Sequence, residues 1–309
     1  MITENNSKKE WDNFLIQNNG TFLQSTLWGD FKKKYQKVFR FEKREEGETV
    51  GVCQIFREKS RFGNYLYIPH GPFSSKKETR EELFLEAVKV AKKEKDIFVN
   101  AEPIEELTSG RNSFLRIQPQ KTLISNINRD IEDIKKDFSK STKRNINYAQ
   151  RKGVVIKKGH DLRSFIKLLK KTEKRQGFKS YPKDYFENLL KIPNTELVLA
   201  IYEGSVVSGT LLFYFGNTVN FLHSASDYEK RELKAPALLR FQSIVFAKEK
   251  GCKFYNFWGI NEKLFPGVTK YKKSFGGTEK EYPKGKDVPV NKLRYQGMRI
   301  LFSIRRICK

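Results

Sequence analysis

The side chains that carry most covalent enzyme chemistry are few in this chain and poorly spaced for it. Cys53, Cys252 and Cys308 are widely scattered, which gives neither a disulfide framework nor a metal-ligand spacing. His70, His160 and His223 are too few and too far apart to read as a zinc site. There is no Gly-x-Ser-x-Gly elbow, and no Cys–His pair has a supporting context. Neither a P-loop nor a Rossmann glycine pattern occurs. What the chain has in quantity is positive charge: 61 Lys and Arg against 36 Asp and Glu, a net charge of +25. Nine basic residues against Asp137 fall between Lys135 and Lys158, and eight against Asp287 between Pro283 and Lys309. Such stretches point to polyanionic partners: nucleic acid, phosphorylated substrates or an anionic membrane face. For individual lysines, solubility in a lysine-rich composition is an equal explanation.

Elements must hold those charges in place, and the same series of elements occurs twice. Lys8 to Asn18 reads as a helix with Trp11, Phe14 and Leu15 on one side. Strands follow at Phe39 to Glu45, Thr49 to Lys59 and Asn64 to Ile68, then a helix from Glu78 to Lys95 and a strand at Ile97 to Ala101. In the second half, Asp161 caps a helix carrying Leu162, Phe165, Ile166 and Leu169, and Lys183 to Lys191 is helical. Strands are expected at Glu196 to Tyr202, Val206 to Phe215 and Val219 to His223, a helix at Leu238 to Lys250 and a strand at Lys253 to Trp258. Gly47 and Gly204 lie 157 apart, and Phe98 and Phe254, like Asn100 and Asn256, lie 156 apart. One order of elements at one offset indicates an internal duplication.

The chain's 309 residues suit about two domains. With 38% apolar and 13% aromatic residues it can build real cores. No window approaches the ~18 apolar residues of a spanning helix, and Met1-Ile-Thr-Glu-Asn-Asn carries no signal-peptide pattern. A cytosolic globular protein is expected.

Antiparallel strands followed by a helical crossover into the sheet resemble an acyltransferase of the GNAT type. There, amides of a glycine-rich turn before the crossover helix hold the CoA pyrophosphate. Here that stretch is Lys230-Arg231-Glu232-Leu233-Lys234-Ala235-Pro236-Ala237, with no glycine and with a proline that removes a donor. Acetyl-CoA is therefore not the expected donor, and no cofactor is expected.

Several strings resemble a family, the Fem-type peptidoglycan aminoacyl ligases. They are Phe22-Leu23-Gln24-Ser25-x-x-Trp28-Gly29-x-Phe31-Lys32, Tyr67-Ile68-Pro69-His70-Gly71-Pro72 and Ser141-Thr142-Lys143-Arg144-Asn145-Ile146. Tyr255-Asn256-Phe257-Trp258-Gly259-Ile260 and Gly267-Val268-x-x-Tyr271-Lys272-x-x-Phe275-Gly276-Gly277 close the series, which spans nearly the whole chain. The resemblance implies an α+β fold of two tandem GNAT-like domains, mixed sheets flanked by helices, without the long coiled-coil arm of some members. The domains would be residues 1–125 with 285–309, on the side of the peptidoglycan precursor, and 126–284, on the side of aminoacyl-tRNA. The implied reaction moves an amino acid from aminoacyl-tRNA to a stem-peptide amine of a nucleotide-linked (UDP-MurNAc-peptide) or lipid-linked peptidoglycan precursor. An aminoacyl ester is already activated, so positioning and electrostatics suffice and no enzyme nucleophile is needed.

On this resemblance Lys272, after Tyr271, stabilises the oxyanion or the leaving ribose oxygen. Lys32 falls where a diphosphate contact is expected, and reads equally as the charged face of a helix with Lys33 and Lys34. The family's Arg-Pro-x-x-Tyr-Phe is Tyr181-Pro182-Lys183-Asp184-Tyr185-Phe186 here, so Tyr185 matches and Tyr181 replaces the arginine. Lys179 or Lys183 would have to substitute, without arginine's bidentate fork. Glu102, just past a strand end, is a candidate for orienting or deprotonating the attacking ammonium, or an ordinary loop acid. Lys143, Arg144, Arg151 and Lys152 are candidates for tRNA phosphate contacts. The basic and apolar tail from Leu293 to Arg306 suits either a peripheral contact with a membrane surface or packing on the first domain. A monomer is expected. The competing readings are a basic RNA-binding protein without catalysis, a CoA-dependent acyltransferase, and an aminoacyl-tRNA-dependent transferase acting on a protein or a lipid.

Overall fold

The computed structural model describes residues 2–4, 7–177 and 179–307, so Cys308 lies outside it. The chain forms two compact units, residues 1–120 with 281–309, and residues 121–280. In chain order the first unit contains β1 (Ile2–Glu4), α1 (Lys8–Gln17), α2 (Thr26–Lys32), β2 (Val38–Glu45), β3 (Glu48–Ser60) and β4 (Gly63–Pro69). After these come α3 (Lys77–Lys93), β5 (Phe98–Glu102) and β6 (Arg111–Asn112). The second unit starts with β7 (Lys121–Asn126), α4 (Ile131–Lys136), α5 (Lys140–Arg151), β8 (Val155–Lys158), α6 (Leu162–Gln176) and α7 (Lys183–Leu190). It goes on through β9 (Thr195–Tyr202), β10 (Ser205–Phe215), β11 (Thr218–Ser226), α8 (Ala235–Glu249), β12 (Phe254–Ile260), α9 (Pro266–Lys273) and β13 (Thr278–Glu281). The chain then returns to the first unit with β14 (Lys286–Pro289) and α10 (Lys292–Ile307).

The first junction falls five residues before the expected one because Lys121–Asn126 pairs with β12 in the second sheet. The return is four residues early because the Tyr282 N–H donates to the Gln120 carbonyl and its ring packs on His70, 4.7 Å between centroids.

Each unit holds a seven-stranded sheet, ordered β1-β2-β3-β4-β5-β14-β6 and β13-β7-β12-β11-β10-β9-β8. In both, a three-stranded antiparallel meander (β2-β3-β4, β9-β10-β11) is followed by a crossover helix and a parallel strand. The duplication read from the spacing is therefore real at the level of topology. Beyond the crossover strand each sheet adds one antiparallel neighbour, β14 on β5 and β7 on β12. The matched asparagines make these joints: Asn100 donates to Asp287 of β14 at 2.8 Å, and Thr122 of β7 donates to Asn256 at 2.7 Å.

Helical spacing decides which faces are buried. Leu83, Ala87 and Ala91 of α3 pack on Ile55, Leu66 and Val99 of the first sheet. Leu238, Ile244 and Ala247 of α8 pack on Leu212, Val219 and Tyr255 of the second. Each fully buried large apolar side chain contributes roughly 1.5–3 kcal/mol. The longest helix among the described residues is α3, 17 residues, and α6 and α7 have 15 and 8, so no helical arm is present there.

Two motif strings have structural explanations. Gln24 is buried and bridges β3 and β4: its Nε2 donates to the Gln54 and Pro69 carbonyls and its Oε1 accepts from the Gln54 N–H. Gly276 and Gly277 both have positive φ, +77° and +101°. A Cβ on Gly277 would lie 2.9 Å from the Ile124 carbonyl oxygen, so only glycine fits the turn from α9 into β13.

Candidate active site

The two copies of the repeated unit differ where their parallel strands end. In the first unit β4 and β5 stay paired through Pro69 and Glu102, and the His70 N–H donates to the Glu102 carbonyl at 2.7 Å. With Gln24 bridging β3 and β4, that edge is closed. In the second unit β11 and β12 pair only from Thr218 to Asn220 and from Phe254 to Asn256, and then separate. Trp258 lies in the left-handed region at φ +64°, a strained conformation for a bulky residue, and the register with β7 shifts between Asn256 and Gly259. The Asn256 carboxamide oxygen holds this bend by accepting the Trp258 N–H at 2.9 Å. On the other strand, Leu211 and Leu212 of β10 face His223 and Phe221, so Leu222 is an extra, bulged residue.

A cavity of about 650 Å³ fills the wedge these two irregularities open. Leu222 and Trp258 line it, together with Arg175 from α6, Arg240 from α8, and Tyr271 and Lys272 from α9. No Asp, Glu, His or Cys is among its lining residues. Ser208, Ser224 and Ser226 are, and the Ser208 hydroxyl donates to the Ala225 carbonyl at 3.0 Å.

Lys272 is half-buried and its Nζ donates to the Gly259 carbonyl at 2.5 Å. Burial, with the Arg240 charge added, pushes its ammonium down to about 7. Tyr271 offers a buried hydroxyl beside the Arg240 guanidinium, and burial raises its pKa. At the cavity wall Tyr228 is exposed and flanked by two guanidiniums, Arg175 at 4.7 Å and Arg231 at 4.6 Å from the ring centroid. Arg240 and this Arg–Tyr–Arg set were not singled out in the sequence. Arg240 had a legible signal, since it is the one charged residue between Ala235 and Ala247 of an apolar helix.

The loop before α8 has few free amides. Pro236 has no N–H, and that of Ala237 donates to the Lys234 carbonyl at 2.9 Å.

The other expected site residues are dispersed. Glu102, in the first unit, accepts from the Tyr67 hydroxyl at 2.7 Å and from the Ile117 and Gln118 N–H groups at 2.5 and 2.7 Å. The carboxylate is 6% exposed and anchors the chain at residues 117–118. Burial raises its pKa. Lys32 ends α2 and, unlike the exposed Lys33 and Lys34, is half-buried with its Nζ 5.9 Å from the Phe56 centroid. It is therefore not part of a solvated lysine face, and burial lowers its pKa. Tyr181 stacks on buried Tyr185 at 3.9 Å and 11°, and both meet the edge of His223. Lys179 is exposed. Lys143, Arg144, Arg151 and Lys152 are all exposed, because Thr142, Ile146 and Ala149 turn the other face of α5 inward. In the tail, Tyr295 and Met298 are buried with Phe98 in the first unit, while Leu293 and Ile300 are 84% and 59% exposed.

Comparison with known proteins agrees with this geometry. A model described as the FemAB family matches residues 6–129, 110–205 and 196–302. A lipid II:glycine glycyltransferase of Staphylococcus epidermidis is 24% identical over 336 residues, covering 79% of this chain and 80% of that one. The crystal structure of FemX superposes with a TM-score of 0.84 at 21% identity, over 97% of this chain and all of that one. A tandem GNAT protein from the clavulanic acid biosynthesis pathway superposes at 0.53 with 11% identity, over 94% and 98%. The fold is thus a mixed α/β tandem of the GNAT kind.

Proposed function

The chain belongs to the FemAB family, and from that premise we propose that it is an aminoacyltransferase building the interpeptide bridge of peptidoglycan. On this reading the acceptor is an amine of the stem peptide on a lipid-linked precursor and the donor is aminoacyl-tRNA. The relatives' name, lipid II:glycine glycyltransferase, supports the acceptor and makes glycine the first amino acid to test.

One observation carries the reading: the lining of the second unit's wedge holds three cations and no acid, thiol or imidazole. Such a cavity suits a donor that is anionic and already activated. The ester carbonyl carbon is attacked by a neutral amine, and fixed positive charge lowers the barrier without a covalent relay. Lys272 acts at the oxyanion or at the leaving ribose oxygen. Tyr271 shapes its surroundings. Tyr228, between Arg175 and Arg231, offers a stacking face and phosphate contacts to an RNA end, and Lys143, Arg144, Arg151 and Lys152 extend the cationic track. The first unit takes the precursor, with Lys32 as a phosphate contact; in the second unit Tyr181, stacked on Tyr185, offers a ring platform, and Lys179 an exposed cation. α10 leaves Leu293 and Ile300 outward for peripheral contact with the membrane that holds the lipid; among the described residues no helix is long and apolar enough to cross it.

The test is incubation of the purified chain with aminoacyl-tRNA and with nucleotide- and lipid-linked muropeptides, read by mass spectrometry. A lipid-linked product one residue heavier is expected. RNA binding without any gain in mass favours the non-catalytic alternative.

A further inference from the structure

Arg240 has surroundings that a structural arginine does not need. It sits on the buried face of α8, 5% exposed, with no carboxylate within salt-bridge distance among the described residues. Taking an unpaired guanidinium out of water costs several kcal/mol. Part is offset by aromatic faces: its Cζ lies 3.4 Å from the Phe221 ring centroid, 5.4 Å from Phe257 and 5.7 Å from Tyr271. Its Nη1 makes no well-aligned hydrogen bond and lies against the buried hydroxyls of Tyr255 and Tyr271, and Arg240 and Tyr271 line the wedge cavity. The Leu222 bulge lies directly after Phe221. A buried permanent cation with only tyrosine hydroxyls and ring faces beside it, lining a cavity without acids, is a site prepared for a negatively charged oxygen.

We propose that Arg240 is a catalytic residue, its Nη1 donating to the oxyanion that forms on the ester carbonyl carbon, while Lys272 serves the departing ribose oxygen. The inference rests on the transfer reaction proposed above. The amine lone pair forms the C–N bond and the carbonyl π pair moves onto oxygen beside Arg240. The oxyanion then reforms the carbonyl, the C–O bond to ribose breaks, and the Lys272 ammonium gives its proton to the ribose oxygen. The nitrogen's surplus proton restores Lys272. The groups facing this pair are Arg175 from α6, Tyr271 from α9 and Tyr255 from β12, with no acid among the cavity's lining residues. Arg240 therefore also holds down the charge of Lys272.

The experiment is single-turnover transfer from glycyl-tRNA to lipid II by the full chain, wild type, R240Q and R240K, with donor Kd measured separately and the rate followed against pH. R240Q is expected to lose about 10²–10³-fold in rate with donor Kd within about threefold, and to move the alkaline limb of the pH profile upward. R240K should be intermediate. An R240Q rate within threefold of wild type, a loss confined to Kd, or an unmoved limb overturns the proposal. Should circular dichroism show R240Q unfolded, a folded R240K decides: a tenfold loss at unchanged Kd supports the role, and wild-type rate overturns it. Wild-type protein that transfers nothing from glycyl-tRNA or from a mixed aminoacyl-tRNA pool overturns the functional reading itself, whereas wild-type turnover with an unimpaired R240Q removes only the role of Arg240.

Discussion

Lys272 of α9 donates to the carbonyl oxygen of Gly259 in β12 at 2.5 Å, so one hydrogen bond joins the two closing motifs of the sequence. It fixes the amine beside the bend at Trp258, where β12 leaves β11. Replacing Lys272 by Met keeps the stem and removes the charge. Turnover should fall about 10²–10³-fold with precursor affinity within a few-fold, measured by steady-state transfer and equilibrium binding. Unchanged turnover would leave Lys272 as a tether between α9 and β12.

The ammonium of Lys272, held down to about 7, predicts a pH signature. If it donates a proton to ribose, the rate at saturating acceptor must fall as pH rises through about 7, because the cation is lost there. Lys272→Arg, which stays charged but cannot release a proton, should remove that limb and keep only the part of the rate that charge alone supplies. For stability the sign is opposite. Between about 7 and the ordinary lysine value the unfolded chain binds the extra proton, so this group makes the fold more stable as pH rises across that window.

Glu102→Gln separates the anchoring role of this carboxylate from a catalytic one. The amide keeps one acceptor for the Tyr67, Ile117 and Gln118 donors and loses the charge, so stability should drop by about 1–3 kcal/mol. The transfer rate per folded molecule should hold. Denaturant unfolding and single-turnover kinetics read the two separately, and a rate loss at unchanged stability would restore a catalytic role.

Gly277→Ala should cost about 1–3 kcal/mol, because alanine would take φ +101° with its Cβ 2.9 Å from the Ile124 carbonyl oxygen. A thermal midpoint equal to wild type would show that the turn relaxes.

Arg151→Ala combined with Lys152→Ala should lower the slope of log K for tRNA against log salt by about 1.4–1.8 if both contact phosphate. An unchanged slope would leave them as the solvated face of α5.

The parts of this fold that repeat were legible, since hydrophobic period and turn glycines are local. Gly47 and Gly204 mark corresponding hairpins, and Asn100 and Asn256 corresponding joints. What makes one copy a site and the other a support is not local. Gln24 bridges strands from 30 residues away, and no period shows that β11 bulges at Leu222 or that Trp258 takes a left-handed turn. The anchoring of Glu102 was not legible because its partners, Ile117 and Gln118, lie in a segment without pattern. Arg240 was overlooked because one arginine in an apolar helix does not announce its missing counter-ion.

The most direct test of the central claim is a rapid-quench time course of wild-type protein with glycyl-tRNA and lipid II, following tRNA, acceptor and protein masses together. Direct aminolysis under fixed charge predicts that loss of glycine from tRNA and its gain by lipid II share one rate constant, with no glycyl group on the protein at any time. A glycyl-protein intermediate that forms and decays, or deacylated tRNA without glycylated acceptor, would contradict it.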